Sequence, residues 1–537
     1  MAALLPTMPS QANIKRQYQN QFGGYQHLKQ SNNGSIWDMQ NMCSYYAPAL
    51  ATRPPRKMYQ EVTKPNGMFS ADHLFIVDGT NLYVDGTIVR QVQDNQKTFC
   101  GIGHRVVILP DKIMYNADGT FTELESSFSA TGLVIGNGSY AGVAAKLNTI
   151  TSSTVFPFNV GDAVTISGCS VAYNNQTVII REKSDDGKQI RFYENTFRFP
   201  DNSADGTTSY TESGSVTLSR GMPDLDYLCE NDNRLWGCKG DTIYACKLGD
   251  PTNWNSFDGL ATDSYVVDAG SPGNFTACIS FLGYPVFFKE DKIYKIYGTK
   301  PSNYEVMASA ISGVQAGSSR SLAIAGETLH YLSKTGVVSY TGGMPYVISG
   351  DLGDELLSNA VAGSDGTKLW INLKHDDTYS TFVYDTNSKM WHKEDDGRII
   401  AMAYHKGLYC QDEDGNIYLT GRPEEIPENC TREDPFESMV EFSDWDWQVI
   451  DSKYPIRAVM RLEIFPSAQC AVWIQYDSSD EWKQVATTPA NNNKKRLMFM
   501  PISIKRCDHY RLKITGTGQW KIYALEQEFY SGAYTRR

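Results

Sequence analysis

The 537-residue sequence predicts an all-β protein. Its expected parts are a β-propeller, best read as seven blades within a range of six to eight, an inserted β-barrel or sandwich, an extended N-terminal arm and a C-terminal β-sandwich. Three observations predict this. A strand–turn–strand figure recurs seven times along the chain. Its later copies begin roughly 40 residues apart, the period at which a four-stranded propeller blade repeats. The composition leans the same way, with 12% aromatic residues, 32 of them Tyr, and 44 Gly, which favours strands and turns over helices.

The figure first occurs as LFIVDGTNLYVDG (74–86). It returns as RVVILPDKIMYNADG (105–119), RLWGCKGDTIYAC (234–246), PVFFKEDKIYKIYG (285–298), TLHYLSKTGVVSYTGG (328–343), KLWINLKHDDTYSTFVYD (368–385) and GLYCQDEDGNIYLTG (407–421). In each copy, apolar residues run or alternate over about five positions and stop at a turn pair such as Asp-Gly or Lys-Gly, the signature of a hairpin. The last pair of strands is expected to meet strands near the first hairpin, because a propeller closes its ring to leave no free edge.

Around this repeat the chain divides in order. Residues 1–70 lack a period and read as an arm that has no core of its own, lying on the propeller or on a neighbouring copy. Within it, 36–42 read as a short amphipathic piece capped by Asn33 or Ser35, and Ala51 to Arg56 must be extended because each Pro bars helix. Residues 71–126 begin the propeller and 127–220, of different texture, form the insert. Residues 221–421 resume the propeller, 422–437 are a polar linker, and 438–537 form the sandwich. The best helix candidate is 349–360, capped by Ser349 or Asp351.

Charge is uneven. The chain carries −12, yet residues 1–70 hold seven Lys and Arg against two Asp and Glu, and 430–537 hold 15 against 14, so the middle carries −18. So acidic a bulk disfavours nucleic acid, whereas a basic arm suits an acidic neighbour. No run of 18 apolar residues suggests a membrane span, and no basic region precedes the short apolar start, which argues against a signal peptide. The 11 Cys are scattered without CxxC pairs and read as buried thiols of a reducing cytoplasm. Cys229, Cys238 and Cys246 cluster at a spacing that fits no zinc template.

Motifs of catalysis with fixed spacing are missing: there is no HExxH, no GxxxxGK[ST] and no GxSxG. Residues 136–142 read as a Gly-rich turn in the insert. Asp412-Glu413-Asp414-Gly415-Asn416 has part of a calcium loop but reads better as a hairpin turn. His375 beside Asp376 and Asp377 is a conceivable base on a hairpin tip. A propeller glycosidase would need carboxylates gathered at one end of the channel. Asp78, Asp85, Asp118, Asp241, Asp291 and Asp414 are the candidates, although Asp is what such turns ordinarily use. The expectation is therefore no enzyme, no cofactor and no metal.

A resemblance adds to this. F-G-G at 22–24, Asp38-x-x-Asn41 within IWDMQNM and Arg53-Pro54-Pro55-Arg56 look like the opening of tail nozzle or tail stabilisation proteins of tailed bacteriophages. Gly249-Asp250-Pro251-Thr252-Asn253-Trp254 resembles a turn common in that family, and the end of the chain at 520–529 resembles its C-terminal β-sandwich. The resemblance implies a structural virion protein of the tail, assembled in the host bacterial cytoplasm. It implies a homohexameric ring below the portal and adaptor, extending the DNA ejection channel and carrying tail fibres, with DNA passing an acidic lumen without specific binding. Candidate contacts with other subunits or partners are then Arg53, Pro54, Pro55, Arg56, Trp254, Lys494, Lys495 and Arg496, the last three from a basic, turn-like tract. Two alternatives stand beside it: a receptor- or glycan-binding tail component that uses exposed Trp and Tyr of the insert, and a β-propeller glycan hydrolase.

Overall fold

A computed structural model describes residues 14–28, 34–140, 143–200, 208–446, 453–477, 479–488, 495–502 and 505–531. Among these, the regular structure is β-strand, joined by four short 3-10 turns; no helix is long and apolar enough to cross a membrane. The chain forms two compact units, Met1–Gly79 with Val314–Arg537, and Thr80–Gly313.

Seven strand quartets make the propeller. They lie at 65–91, 98–123, 227–268, 277–309, 323–347 and 357–396, and the seventh combines 399–420 with Lys57–Glu61. We number them blades 1 to 7. Each copy of the sequence figure supplies the second and third strands of its quartet. In blade 1 the turn between those strands carries the chain from one unit to the other at Gly79. The first strands are innermost. Thr98–Ile102 packs on Tyr227–Asn231, which packs on Ala277–Phe281, in one unit. In the other, Ala323–Ala325, Leu357–Ser364, Ile399–Tyr404 and Pro65–Ser70 pack in succession.

Closure comes from the arm. Lys57–Glu61 pairs antiparallel with Asn416–Thr420, Met58 opposite Tyr418, and becomes the fourth strand of blade 7. The seam depends on Gly415, whose φ is 93° and whose added Cβ would lie 1.8 Å from the Val62 carbonyl oxygen. The Val62 N–H donates to the Gly415 carbonyl at 2.9 Å.

The rest of the arm is extended and belongs to the C-terminal sandwich. Ile36–Gln40 pairs with Glu437–Phe442 at the edge of one five-stranded sheet. Leu50–Thr52 and Ile14–Gln19 both pair with Trp520–Ser531 in the other sheet. The domain thus draws strands from both ends of the chain, around a core in which Ile36, Met39, Met42 and Leu50 join Val440, Leu462, Val472, Leu512 and Trp520. An unpaired strand exposes its backbone donors and acceptors, so the arm needs these partners to be ordered.

Two helix expectations are corrected. Residues 36–42 are strand: Ile36, Met39 and Met42 are all fully buried, which imitates a helical stripe. A bulge between Ile36 and Asp38 and the left-handed Asn41 (φ 58°) shift the strand's faces to give that spacing. At 349–360 only Ser349–Leu352 forms a 3-10 turn. Gly353 at φ 104° ends it, and Leu357–Ser364 becomes strand because Lys368–His375 offers it a partner.

The insert is a two-sheet β-sandwich. Its ends pair with each other, Ser126 opposite Arg220, so it leaves and rejoins the propeller at neighbouring points. Leu133, Ile150, Phe156, Val164, Ile190, Phe192 and Leu218 belong to its closed core. The expected Gly-rich turn at 136–142 is corrected to strand over Val134–Tyr140; Ala141 and Gly142 lie outside the described residues.

Candidate functional site

The stretches F-G-G, D-x-x-N and R-P-P-R meet in space. Gly24 is pressed against blade 6: an added Cβ would lie 2.4 Å from the Trp391 carbonyl oxygen, and the neighbouring Tyr25 N–H donates to that oxygen at 2.6 Å. Asn41, in its left-handed conformation, donates its side-chain amide to the Glu437 carbonyl (2.8 Å) and accepts from Arg53 Nε (2.6 Å). Arg53 is 2% exposed. Its guanidinium grips Glu433 with two parallel bonds of 2.7 and 2.9 Å and lies 4.2 Å from the Phe436 ring centroid. Such fork-on-carboxylate geometry is the strongest form of the charged hydrogen bond.

Arg56, three residues on, binds the outer strand of blade 6. Nη1 donates to Asp395 Oδ2 (2.5 Å) and Nη2 to Glu394 Oε2 (2.7 Å), with the guanidinium over the Tyr418 ring of blade 7. Trp370 Nε1 donates to the second oxygen of Glu394 at 3.0 Å. Burial acts to raise the Asp395 and Glu433 carboxyls, but Arg56 and Arg53 hold both below their ordinary range. Burial likewise acts against the Arg56 charge, and Tyr418, Asp395 and Glu394 outweigh it, so Arg56 stays charged.

Arg53 and Arg56, expected as candidate partner contacts, thus have their guanidiniums held by carboxylates of the same chain. Pro54 and Pro55 are half-buried; Pro55 lines a cleft of about 550 Å³ with Arg432, Glu433, Phe436, Phe465 and Gln519. The expected linker is therefore partly structural, since Thr431–Arg432 pairs with Lys57–Glu61. Lys494 lies outside the described residues, and Lys495 and Arg496 open the strand Lys495–Ile502.

Trp254, another candidate contact, is turned inward. It is 1% exposed and donates Nε1 to the Pro251 carbonyl at 2.9 Å. Asp250 caps the turn, accepting from the Thr252 N–H (3.1 Å) and hydroxyl (2.7 Å). Asn253, fully buried, donates to the Gly161 carbonyl of the insert at 2.7 Å.

The innermost strands of the seven blades carry one carboxylate, Glu230, and no Lys or Arg. Glu230 accepts from the Asn233 N–H of its own turn at 2.8 Å. The strands nearest the propeller axis are thus nearly neutral, with no gathering of carboxylates among them. The turn aspartates brace their hairpins: Asp78 accepts from the N–H groups of Thr63 and Lys64, and Asp118 from Thr120. In the stretch that resembled a calcium loop, Asp412 accepts from the Asn416 N–H at 2.8 Å, as a turn does.

His375 does not work with Asp376 and Asp377, which lie at the hairpin tip. Its Nδ1 is 2.7 Å from Glu355 Oε2 and its Nε2 is 2.7 Å from Ser380 Oγ, the connectivity of a Ser–His–carboxylate set. Ser380 is fully buried and gives its proton to Asp396 Oδ1 at 2.5 Å. No substrate reaches its oxygen, so the chain of bonds braces blade 6. Ten of the 11 Cys are buried and none is in a disulfide. Burial pushes the Cys278 thiol well up, with Cys229 and Cys238 beside it. Among the described residues no group of three or more His, Cys, Asp or Glu is placed to hold a metal ion.

Sequence reasoning missed the partners of the arginines: Glu394, Asp395 and Glu433 sit in ordinary acidic stretches without a motif. Of the exposed Trp and Tyr expected on the insert, the sequence holds no Trp there; Tyr173 and Tyr193 are exposed as expected, and Phe257 beside them was missed.

No family model and no curated protein matches the sequence. Among solved structures, the chain is similar to an exo-β-1,3-galactanase from Phanerochaete chrysosporium (8% identity, 56% of this chain and 94% of that one, TM-score 0.20). It is similar also to the phage phi92 endosialidase (10%, 70% of each chain, TM-score 0.23) and to the Nup133 β-propeller domain of Vanderwaltozyma polyspora (9%, 71% of this chain and 100% of that one, TM-score 0.22). At these values the likeness is one of fold class alone. Glycoside hydrolases and an endosialidase are among these neighbours, so the expectation of no enzyme is withdrawn, and at these TM-scores no activity follows for this chain.

Proposed function

We propose that the chain is a structural virion protein of a tailed phage, a ring-forming tail nozzle below the portal and adaptor. What supports this reading is the knot of Asn41, Arg53 and Arg56. The residues that carry the family resemblance tie the arm, blades 6 and 7 and the C-terminal sandwich into one block. A block held at both chain ends transmits load between neighbours, as a channel segment in a ring must, and closed rings are the usual form of such assemblies.

The test is electron microscopy of the full chain, alone and after mixing with portal and adaptor. The expected result is a ring closed by cyclic symmetry, of about six copies, the number that the tail nozzle resemblance implies. A monodisperse monomer that joins neither itself nor the adaptor overturns the proposal.

A further inference from the structure

Where the insert meets the Trp254 turn there is a cleft of about 350 Å³, edged by Tyr173, Tyr193 and Phe257. The three rings are 46%, 48% and 57% exposed. They are held in place from behind. The Arg198 guanidinium lies 3.9 Å from the Tyr173 ring centroid and Arg181 lies 4.2 Å from that of Tyr193, so one face of each ring is covered by a planar cation. Phe257 follows the turn that the buried Trp254 and Asn253 anchor, so its place is fixed from both the propeller and the insert.

Between the rings are polar groups. Gln176 is fixed by donating to the Thr196 carbonyl at 2.7 Å, and Thr196 donates its hydroxyl to the Tyr193 carbonyl at 2.6 Å. Glu194, Asn195 and Asp258, exposed at the cleft, make no side-chain hydrogen bond or ion pair with any described residue. Asn195 has a φ of 62°, which turns the 194–196 loop at the rim.

We infer that this cleft binds a neutral glycan, with sugar faces stacked on Tyr173, Tyr193 and Phe257 and hydroxyls donating to Glu194 and Asp258. Aromatic residues that stay in water gain from covering an apolar face. A sugar offers that face together with a rim of hydroxyl donors, and here the free acceptors stand at the same rim. Glu194 and Asp258 at the rim are balanced by Arg181 and Arg198 against the rings, so the cleft carries no net charge and favours a neutral ligand over phosphate or an acidic sugar. The volume is at the small end of ligand clefts, about 300–1,000 Å³, which suits one or two sugar rings. Cation binding is the poorer fit, since the three rings would have no part in it.

The test uses the full chain with three probes, linear trisaccharides of glucose, of galactose and of N-acetylglucosamine. Saturation-transfer NMR and calorimetry at millimolar concentration are suited to weak single-site binding. The expected result is transfer to at least one probe, affinity reduced about tenfold or more in Tyr193→Ala/Phe257→Ala, as for removal of anchor residues, and binding kept in Tyr193→Phe. The double variant should melt with the parent chain and form the same rings by microscopy, so failure here and failure of the nozzle reading are separate outcomes. Absence of transfer from all three probes overturns the inference. So does binding that the double variant retains, or a basic peptide that binds the cleft where the sugars do not.

Discussion

The arm knot and the insert are both additions to one propeller, joined to it in opposite ways. At the knot, a single apolar cluster runs through Phe22 of the arm, Trp391 of blade 6 and Val440 and Trp520 of the sandwich, and buried charges are paired across it. The insert keeps its own core, which contains no propeller residue, and its Gly161 carbonyl takes the side-chain donors of Asn253 and Lys247. The difference teaches where a sequence motif comes from. Arg53 serves three segments at once and can be replaced by nothing of another shape, whereas a ring on the insert's outer face has room to vary.

Removing one partner from the knot should break that contrast most. Arg56→Ala leaves the buried Glu394 and the half-buried Asp395 without their cation and should cost about 3–5 kcal/mol, read by denaturant unfolding followed through tryptophan fluorescence. A loss below about 1 kcal/mol, typical of a surface pair, would place the knot on the same footing as the insert.

Acid should separate the regions next. Burial pushes His330 and His392 down to about 4, and the insert contains no His. Both histidines are held neutral when folded. Stability is therefore full above about pH 6.5 and falls by up to about 1.4 kcal/mol per pH unit for each as pH drops toward 4. Against burial, Lys368 and the hydroxyl of Ser44 hold Asp385 down at about 2, so a further loss follows as pH falls from 3.8 toward that value. Hydrogen exchange from pH 7 to 4 should show blades 5 and 6 opening while the insert stays protected; parallel loss in both would contradict it.

Gly415→Ala should cost about 1–3 kcal/mol, the usual range for a side chain forced into a left-handed conformation, and should unprotect the Val62 amide before others in blade 7. At the small end, Tyr173→Ala should change stability by no more than about 0.5 kcal/mol, measured in the same unfolding experiment.

The propeller was legible because its signal is local: each hairpin's apolar run and turn lie within about 15 consecutive residues. The second and third strands of every blade are visible that way, while the first strands, such as Ala323–Ala325 and Leu357–Ser364, are too short or too irregular to stand out. The arm's strands were missed because their partners lie some 400 residues away, as Ile36 opposite Phe442 shows. The candidate site was half visible. Arg53 and Arg56 carry a motif, but their roles depend on Glu433, Glu394 and Asp395, which only the folded chain brings near.

The strand that closes blade 7 also sets the order in which the protein can mature. Lys57–Glu61 leaves the ribosome long before Asn416–Thr420 exists, an interval of about 20–70 s at synthesis rates of about 5–20 residues per second. Until then the ring has an open edge, and Ile36–Gln40 and Leu50–Thr52 wait longer still for their sandwich partners. The strands of the arm must therefore be kept from pairing elsewhere during translation, and the closed fold exists only after their partners are made.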